Sequence, residues 1–236
     1  MEHSNFIITF ANQKGGVGKS TLCALFANYL HQAGIPVWVV DCDGQSSMGQ
    51  LREKELQHNS AGSDAEVPYP ITIHSLSDKE ASDKFIMNLM DFNGVVLIDS
   101  PGNLKEKGLV SIFANSDFII CPFLFEKTTV FATSTFILLL NKMRSSLGKD
   151  MTTQLLFVPN RVDNRFGTED EKKLWSSTKI KLGNFGAVTP DVGYRACMQR
   201  YSTVDMSAEQ INVVKDAFEF ISETIGIKYN ASEQHG

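Results

Sequence analysis

The stretch FANQKGGVGKSTLC, residues 10–23, joins the apolar run FIITFA (6–11) to a helix-like segment through a loop of three glycines. A loop that leaves a strand and opens a helix points backbone N–H groups at an anion, and the helix dipole adds positive potential. Gly15, Gly16 and Gly18, with Val17 among them, allow positive φ and close approach of the main chain to a phosphate. Lys19 then reaches the β and γ phosphates, Ser20 can ligand Mg²⁺, and Thr21 falls near the α phosphate. The usual phosphate-loop spacing, GxxxxGK[ST], requires glycine at 13, where this chain has Gln13. In its place a second lysine, Lys14, precedes the glycines and needs a role of its own.

Outward from this loop, apolar β-branched runs recur at 6–11, 37–40, 71–73, 95–98, 118–121 and 155–158, with helical segments between them. Near-continuous apolar strands alternating with helices predict an α/β fold: a mostly parallel sheet flanked by helices on both faces. Ligands of such sheets bind at the carboxyl ends of the strands. Two other strand ends there carry acids. VVLIDSPG ends in Asp99, placed to hold Mg²⁺ directly or through water, and VWVVDCDGQ ends in Asp41 and Asp43, one residue apart and so on the same side. Residues 44–70 show no clear period and contain SAGSDAEVPYP, which predicts a mobile surface loop. Over 207–226, Ile211, Val214, Phe218, Ile221 and Ile225 form one apolar stripe, which predicts a helix packed on the sheet.

Composition narrows the class. With 236 residues, 42% hydrophobic and 21% charged, the chain is of ordinary globular make-up, and the expectation is one domain over 1–236. Cys23, Cys42, Cys121 and Cys197 are scattered without zinc-ribbon or redox spacing, which fits a reducing compartment. The start MEHSN is unlike a signal peptide, and FILLL (136–140) is far too short to span a bilayer, so a soluble cytoplasmic protein is expected. A net charge of -5 gives no global attraction to nucleic acid or anionic lipid.

The segment KGGVGKST resembles the deviant Walker A motif of the ParA/MinD family of ATPases. The resemblance covers nearly the whole chain apart from 44–70 and the last ten residues, and it implies a P-loop NTPase fold with ATP and Mg²⁺ as cofactors. It makes Lys14 the signature lysine, reaching across a homodimer interface to the partner's nucleotide, where a second cation would stabilise charge on the transferring phosphoryl group. By the same match Lys19 holds the chain's own phosphates, Asp99 is the Walker B acid, Asp41 supports the Mg²⁺ shell and Asp43 orients the attacking water. Gly44 stands where the family commonly has proline. Asn160, and Pro190 with Arg195 behind it, resemble adenine-pocket segments, and Glu126 matches a position near the dimer-facing nucleotide.

Four readings within the family compete. A small ParA-type partition ATPase would bind DNA non-specifically as an ATP dimer and answer to a centromere-binding or other activator protein, and it would then be nucleoid-associated. A relative in conjugative transfer or another positioning system would look much the same. A MinD-like protein would need a membrane-binding C-terminal helix, but the chain ends in the polar IKYNASEQHG, so no membrane is expected. A metabolic relative of the nitrogenase-reductase kind would need a cluster-ligand pattern that the scattered cysteines do not supply, and nothing in the sequence marks the small-molecule acceptor site of a biotin-pathway ligase. For DNA, residues 141–181 hold nine basic side chains (Lys142, Arg144, Lys149, Arg161, Arg165, Lys172, Lys173, Lys179 and Lys181) against five acids, a candidate phosphate-facing patch.

Overall fold

The computed structural model describes residues 5–45, 47–59, 67–148, 151–163, 165 and 167–227. Lys149, residues 60–66 of the SAGSDAEVPYP segment and the terminal stretch from 228 lie outside them. Seven strands, β1 (Phe6–Phe10), β2 (Val37–Asp41), β3 (Ile71–Ile73), β4 (Val95–Asp99), β5 (Phe118–Phe123), β6 (Gln154–Pro159) and β7 (Ala187–Val188), form one sheet in the order β3-β2-β4-β1-β5-β6-β7. Every pairing is parallel. The intervening helices are α1 (Lys19–Gln32), α2 (Ser47–Asn59), α3 (Lys79–Met90), α4 (Leu109–Asn115), α5 (Lys127–Leu147), α6 (Glu169–Leu182) and α7 (Ala208–Ile225).

Because successive strand side chains point to opposite faces, the apolar runs split cleanly into two cores. Ile8, Phe10, Val37, Val39, Val95, Leu97, Ile120 and Leu156 meet α1, α7 and Met48 of α2 on one face. Ile7, Val40, Val96, Ile98, Ile119 and Phe157 meet α3, α4, α5 and α6 on the other. Thr9, a polar residue inside β1, is satisfied by the Ser116 hydroxyl at 2.7 Å. The stripe of α7 packs as its spacing predicts: Val214, Phe218, Ile221 and Ile225 are buried, and the helix is bounded by a Ser207–Gln210 capping box and by Gly226 in the left-handed conformation. Among the described residues no helix is long and apolar enough to cross a membrane.

One expectation is overturned. Residues 47–59 are not loop but helix, and the reason they read as loop is physical. Among the described side chains of α2 only Met48 and Arg52 are buried, so no apolar period exists to be seen. In its first turn the Met48 and Gly49 amides donate to the Asp41 side chain, an acceptor supplied from another element.

Candidate functional site

The order of the sheet places β1 at its centre, between β4 and β5, so the glycine loop leaves the middle of the carboxyl edge with Asp99 beside it. Asn12 fixes the start of the loop. Buried, it donates from Nδ2 to Pro122 O (2.8 Å) and Thr133 Oγ1 (3.0 Å) and accepts the Lys14 amide at Oδ1 (3.2 Å). Gln13, Lys14, Gly15 and Gly16 are exposed, whereas Val17 is buried. Gly16 and Gly18 have φ of 78° and 99°, so the left-handed backbone that the glycines permit is used twice. No side chain caps α1 and no acid lies in its first turn, leaving its leading amides open to an anion.

The two lysines diverge. Lys19 is buried and its ammonium donates to the carbonyl of Lys14 at 3.4 Å, beneath the loop and close to Gly102. Lys14 is exposed on the loop itself.

Asp99 is fully buried at the end of β4, and neither carboxylate oxygen has a hydrogen-bond partner among the described residues. Burial pushes its pKa up to about 7, with the Asp41 charge reinforcing the rise and the Ser20 hydroxyl and Lys19 ammonium opposing it. Two buried, unpartnered acceptor oxygens beside a half-buried Ser20 fit a divalent cation, a hard ion that takes oxygen ligands. Asp41 is different. It pairs with Asp99 across β2 and β4 and is equally buried, but its Oδ1 accepts the Asp43 amide (3.1 Å) and its Oδ2 those of Met48 (3.0 Å) and Gly49 (3.2 Å). Burial raises its pKa and these amides counter the rise. Its lone pairs thus build the turn that presents Asp43, which is half-buried and accepts from the Gln45 amide at 3.1 Å. Among the described residues no group of three or more His, Cys, Asp or Glu forms a metal cage, so Ser20 and Asp99 are the donors best placed for an ion that keeps most of its water.

Asn160, at the end of β6, clamps the loop from the other side: Nδ2 donates to Val17 O at 2.8 Å and Oδ1 accepts the Arg161 amide at 2.9 Å. A Cβ on Gly18 would lie 2.3 Å from Asn160 Nδ2, so only glycine fits under this amide. Next to it a narrow cleft opens between Thr21, Asn160 and Arg161 on one side and Tyr194, Arg195 and Gln199 on the other. Arg161 is the one described non-glycine residue with positive φ, 54°. Pro190 is exposed and lies before the stretch that lines this cleft, and Glu126 is exposed at the N-cap of α5. Sequence reasoning did not single out Asn12, Tyr194 or Gln199. Asn12 alone carried a signal, a polar residue between an apolar strand and the glycines.

Four of the nine basic side chains of the 141–181 stretch face acids. Lys172 faces Glu169 (3.9 Å), Lys173 faces Asp170 (3.4 Å), Lys179 faces Asp191 (2.5 Å) and Arg165 faces Asp163 (2.7 Å).

Residues 8–196 match the family described as the CobQ/CobB/MinD/ParA nucleotide binding domain. A protein named ParA from Rhizobium radiobacter is 28% identical over 117 residues, which is 49% of this chain and 47% of that relative, so the match spans about half the length of the relative. Among solved structures, a McdA–ATP complex from Cyanothece superposes with a TM-score of 0.70 at 15% identity, covering 98% of this chain and all of the other. A plasmid partition protein from Borrelia burgdorferi bound to AMPPNP superposes with a TM-score of 0.67 at 19% identity, covering 94% of this chain and all of the other. These likenesses carry the P-loop NTPase fold. The chain belongs to the CobQ/CobB/MinD/ParA nucleotide-binding family, the family of the ParA- and MinD-type ATPases.

Proposed function

We propose that the chain is a Mg²⁺-dependent ATPase that closes two nucleotides between two copies of itself and, in that state, binds DNA without sequence preference to position or segregate a DNA cargo. The observation that carries the reading is the divergence of the lysines: Lys19 is buried beneath its own loop, while Lys14 projects from the exposed side of the same loop. A cation so placed can meet phosphate on a facing copy, where it would stabilise charge on the transferring group. In this reading the amides of Gly15, Gly16, Val17 and Gly18 with Lys19, Ser20 and Thr21 hold the phosphates. Ser20 and Asp99 hold Mg²⁺, which neutralises phosphate charge when bound. Asp41 shapes the turn, Asp43 orients water, Asn160 bounds the base cleft with Pro190 near the base, and Glu126 stands near the dimer-facing nucleotide.

The names of the relatives, ParA and a plasmid partition protein, support a DNA cargo. The apolar face of α7 is spent on the core, so this helix has none left to insert into a membrane. A cytoplasmic location and an activating partner protein belong to the same proposal.

Light scattering tests it. With ATP and Mg²⁺, a hydrolysis-slowed Asp43→Ala variant should double in mass, and Lys14→Ala in the same background should stay monomeric while still binding ATP. A chain that binds ATP tightly yet remains monomeric with Lys14 intact removes the reading.

A further inference from the structure

Helix α2 is fastened at two levels one turn apart. At its start the Met48 and Gly49 amides sit on Asp41 Oδ2. One turn on, the buried guanidinium of Arg52 spends all three nitrogens: Nε on Thr203 Oγ1 (2.9 Å), Nη2 on Thr203 O (2.6 Å) and Nη1 on Tyr69 O (2.8 Å), with its carbon 4.7 Å above the Tyr69 ring. Glu55 accepts the Thr203 amide at 3.0 Å and its hydroxyl as well. Every polar group of Thr203 is therefore held by a side chain of α2.

The same segment is tied to α1. Asn28 donates to Ser202 O (2.9 Å) and Asp205 O (2.8 Å), and its Oδ1 accepts the Tyr69 hydroxyl at 2.7 Å. Residues 202–205 are thus pinned to both helices that spring from the site, α1 from the glycine loop and α2 from the Asp41–Asp43 turn. They also follow closely on Tyr194, Arg195 and Gln199, which line the cleft beside Asn160. A buried cation is costly unless its bonds are complete, and its planar fork fixes a register that apolar contact would leave loose.

Building on the proposed ATPase reading, we infer that Arg52 is a positioning residue: it joins the cleft-lining segment to the Asp43 turn, so that the base in the cleft sets the rate of hydrolysis as well as the affinity. A base that orders Tyr194–Gln199 orders Thr203. Thr203 holds Arg52, and Arg52 sets the angle of α2, whose first amides share the Asp41 carboxylate with the Asp43 amide. A triphosphate whose base does not fill the cleft would bind through its phosphates and turn over slowly.

The experiment compares saturated hydrolysis of ATP and UTP by the full chain, wild type, Arg52→Met, Arg52→Lys and Thr203→Val, alongside MgATP affinity and melting temperature. In the wild type ATP should turn over at least about tenfold faster than UTP, and in Arg52→Met and Thr203→Val the ATP rate should fall about tenfold, with UTP turnover and MgATP affinity moving by less than about threefold. Arg52→Lys should restore part of the difference. If Arg52→Met does not fold, Thr203→Val, which exchanges a hydroxyl for a methyl, carries the test. Loss of melting temperature with an unchanged ATP-to-UTP ratio overturns the inference, as does an equal fall for both nucleotides. A wild type that hydrolyses ATP and UTP alike overturns it too while leaving the proposed function standing, whereas a chain that binds no MgATP removes the proposed function itself.

Discussion

At the scale of single residues, Asp99 holds the most consequential charge. Its pKa, raised to about 7 chiefly by burial, lies above that of an unfolded aspartate, so the folded chain keeps a proton that the unfolded chain releases as pH climbs from about 4 to about 7. Asp99 therefore costs stability increasingly through that window, and above it the full cost remains. Asp99→Asn should be more stable than wild type at pH 8 without nucleotide, by a few kcal/mol at roughly 1.4 kcal/mol per pKa unit, and the two should converge toward about pH 4. The same substitution should abolish the stabilisation that Mg²⁺ adds to ATP binding, so melts with ATP and with MgATP would superpose in the variant. At Gly18, with φ of 99° and the Asn160 amide 2.3 Å from any added Cβ, alanine would be strained and obstructed at once. Gly18→Ala should lose about 1–3 kcal/mol in a urea titration and bind a fluorescent ATP analogue at least about tenfold more weakly. Lys19, Ser20 and Asp99 were legible because a loop chemistry demands those residue types at fixed spacing. The clamp of Asn160 on Val17 O joins positions 143 apart and leaves no local pattern to read.

At the scale of elements, α2 and α7 show what makes a helix visible in sequence. The stripe of α7 announces itself because its buried side chains recur at three- and four-residue steps. Among its described side chains helix α2 buries one methionine and one arginine, and its Met48 and Gly49 amides are held by Asp41 on β2, contacts that are tertiary rather than local. This separates two acids that sequence alone treats as a pair. Asp41→Ala would leave the Asp43, Met48 and Gly49 amides without their acceptor and should cost about 1–3 kcal/mol of stability. Asp43→Ala should leave the melt within about 0.5 kcal/mol of wild type and slow phosphate release about 100-fold at unchanged ATP affinity. Thermal melts and steady-state phosphate release on the two variants check the division. Equal loss of ATP affinity in both would show that the two roles are wrongly assigned.

At the scale of the whole molecule, charge and topology matter more than any one contact. Lys172, Lys173 and Lys179 face acids of their own neighbourhood, whereas Lys142, Lys181 and Arg161 have no acidic partner among the described residues. If the ATP dimer binds duplex DNA, Lys181→Glu should weaken binding at low salt more than Lys173→Glu, across all sequences, and should flatten the salt dependence by about one released counterion per copy. A mobility assay at two salt concentrations with ATP and with ADP resolves this, and equal effects of the two substitutions would reject the partition of charges. Net composition could not make this distinction, because it counts lysines without their partners, whereas the sheet was legible from its apolar runs. Its order has a further consequence, felt while the chain is being made. The central strand β1 pairs with β4 and β5, and the Ile7 amide meets the Asp117 carboxylate 110 residues later in the chain. At about 5–20 residues per second of synthesis, β1 waits roughly 5–20 s for that partner. Until β4 is made that apolar strand has two unpaired edges, and until β5 follows it still has one, so synthesis exposes edges of the kind that chaperones cover.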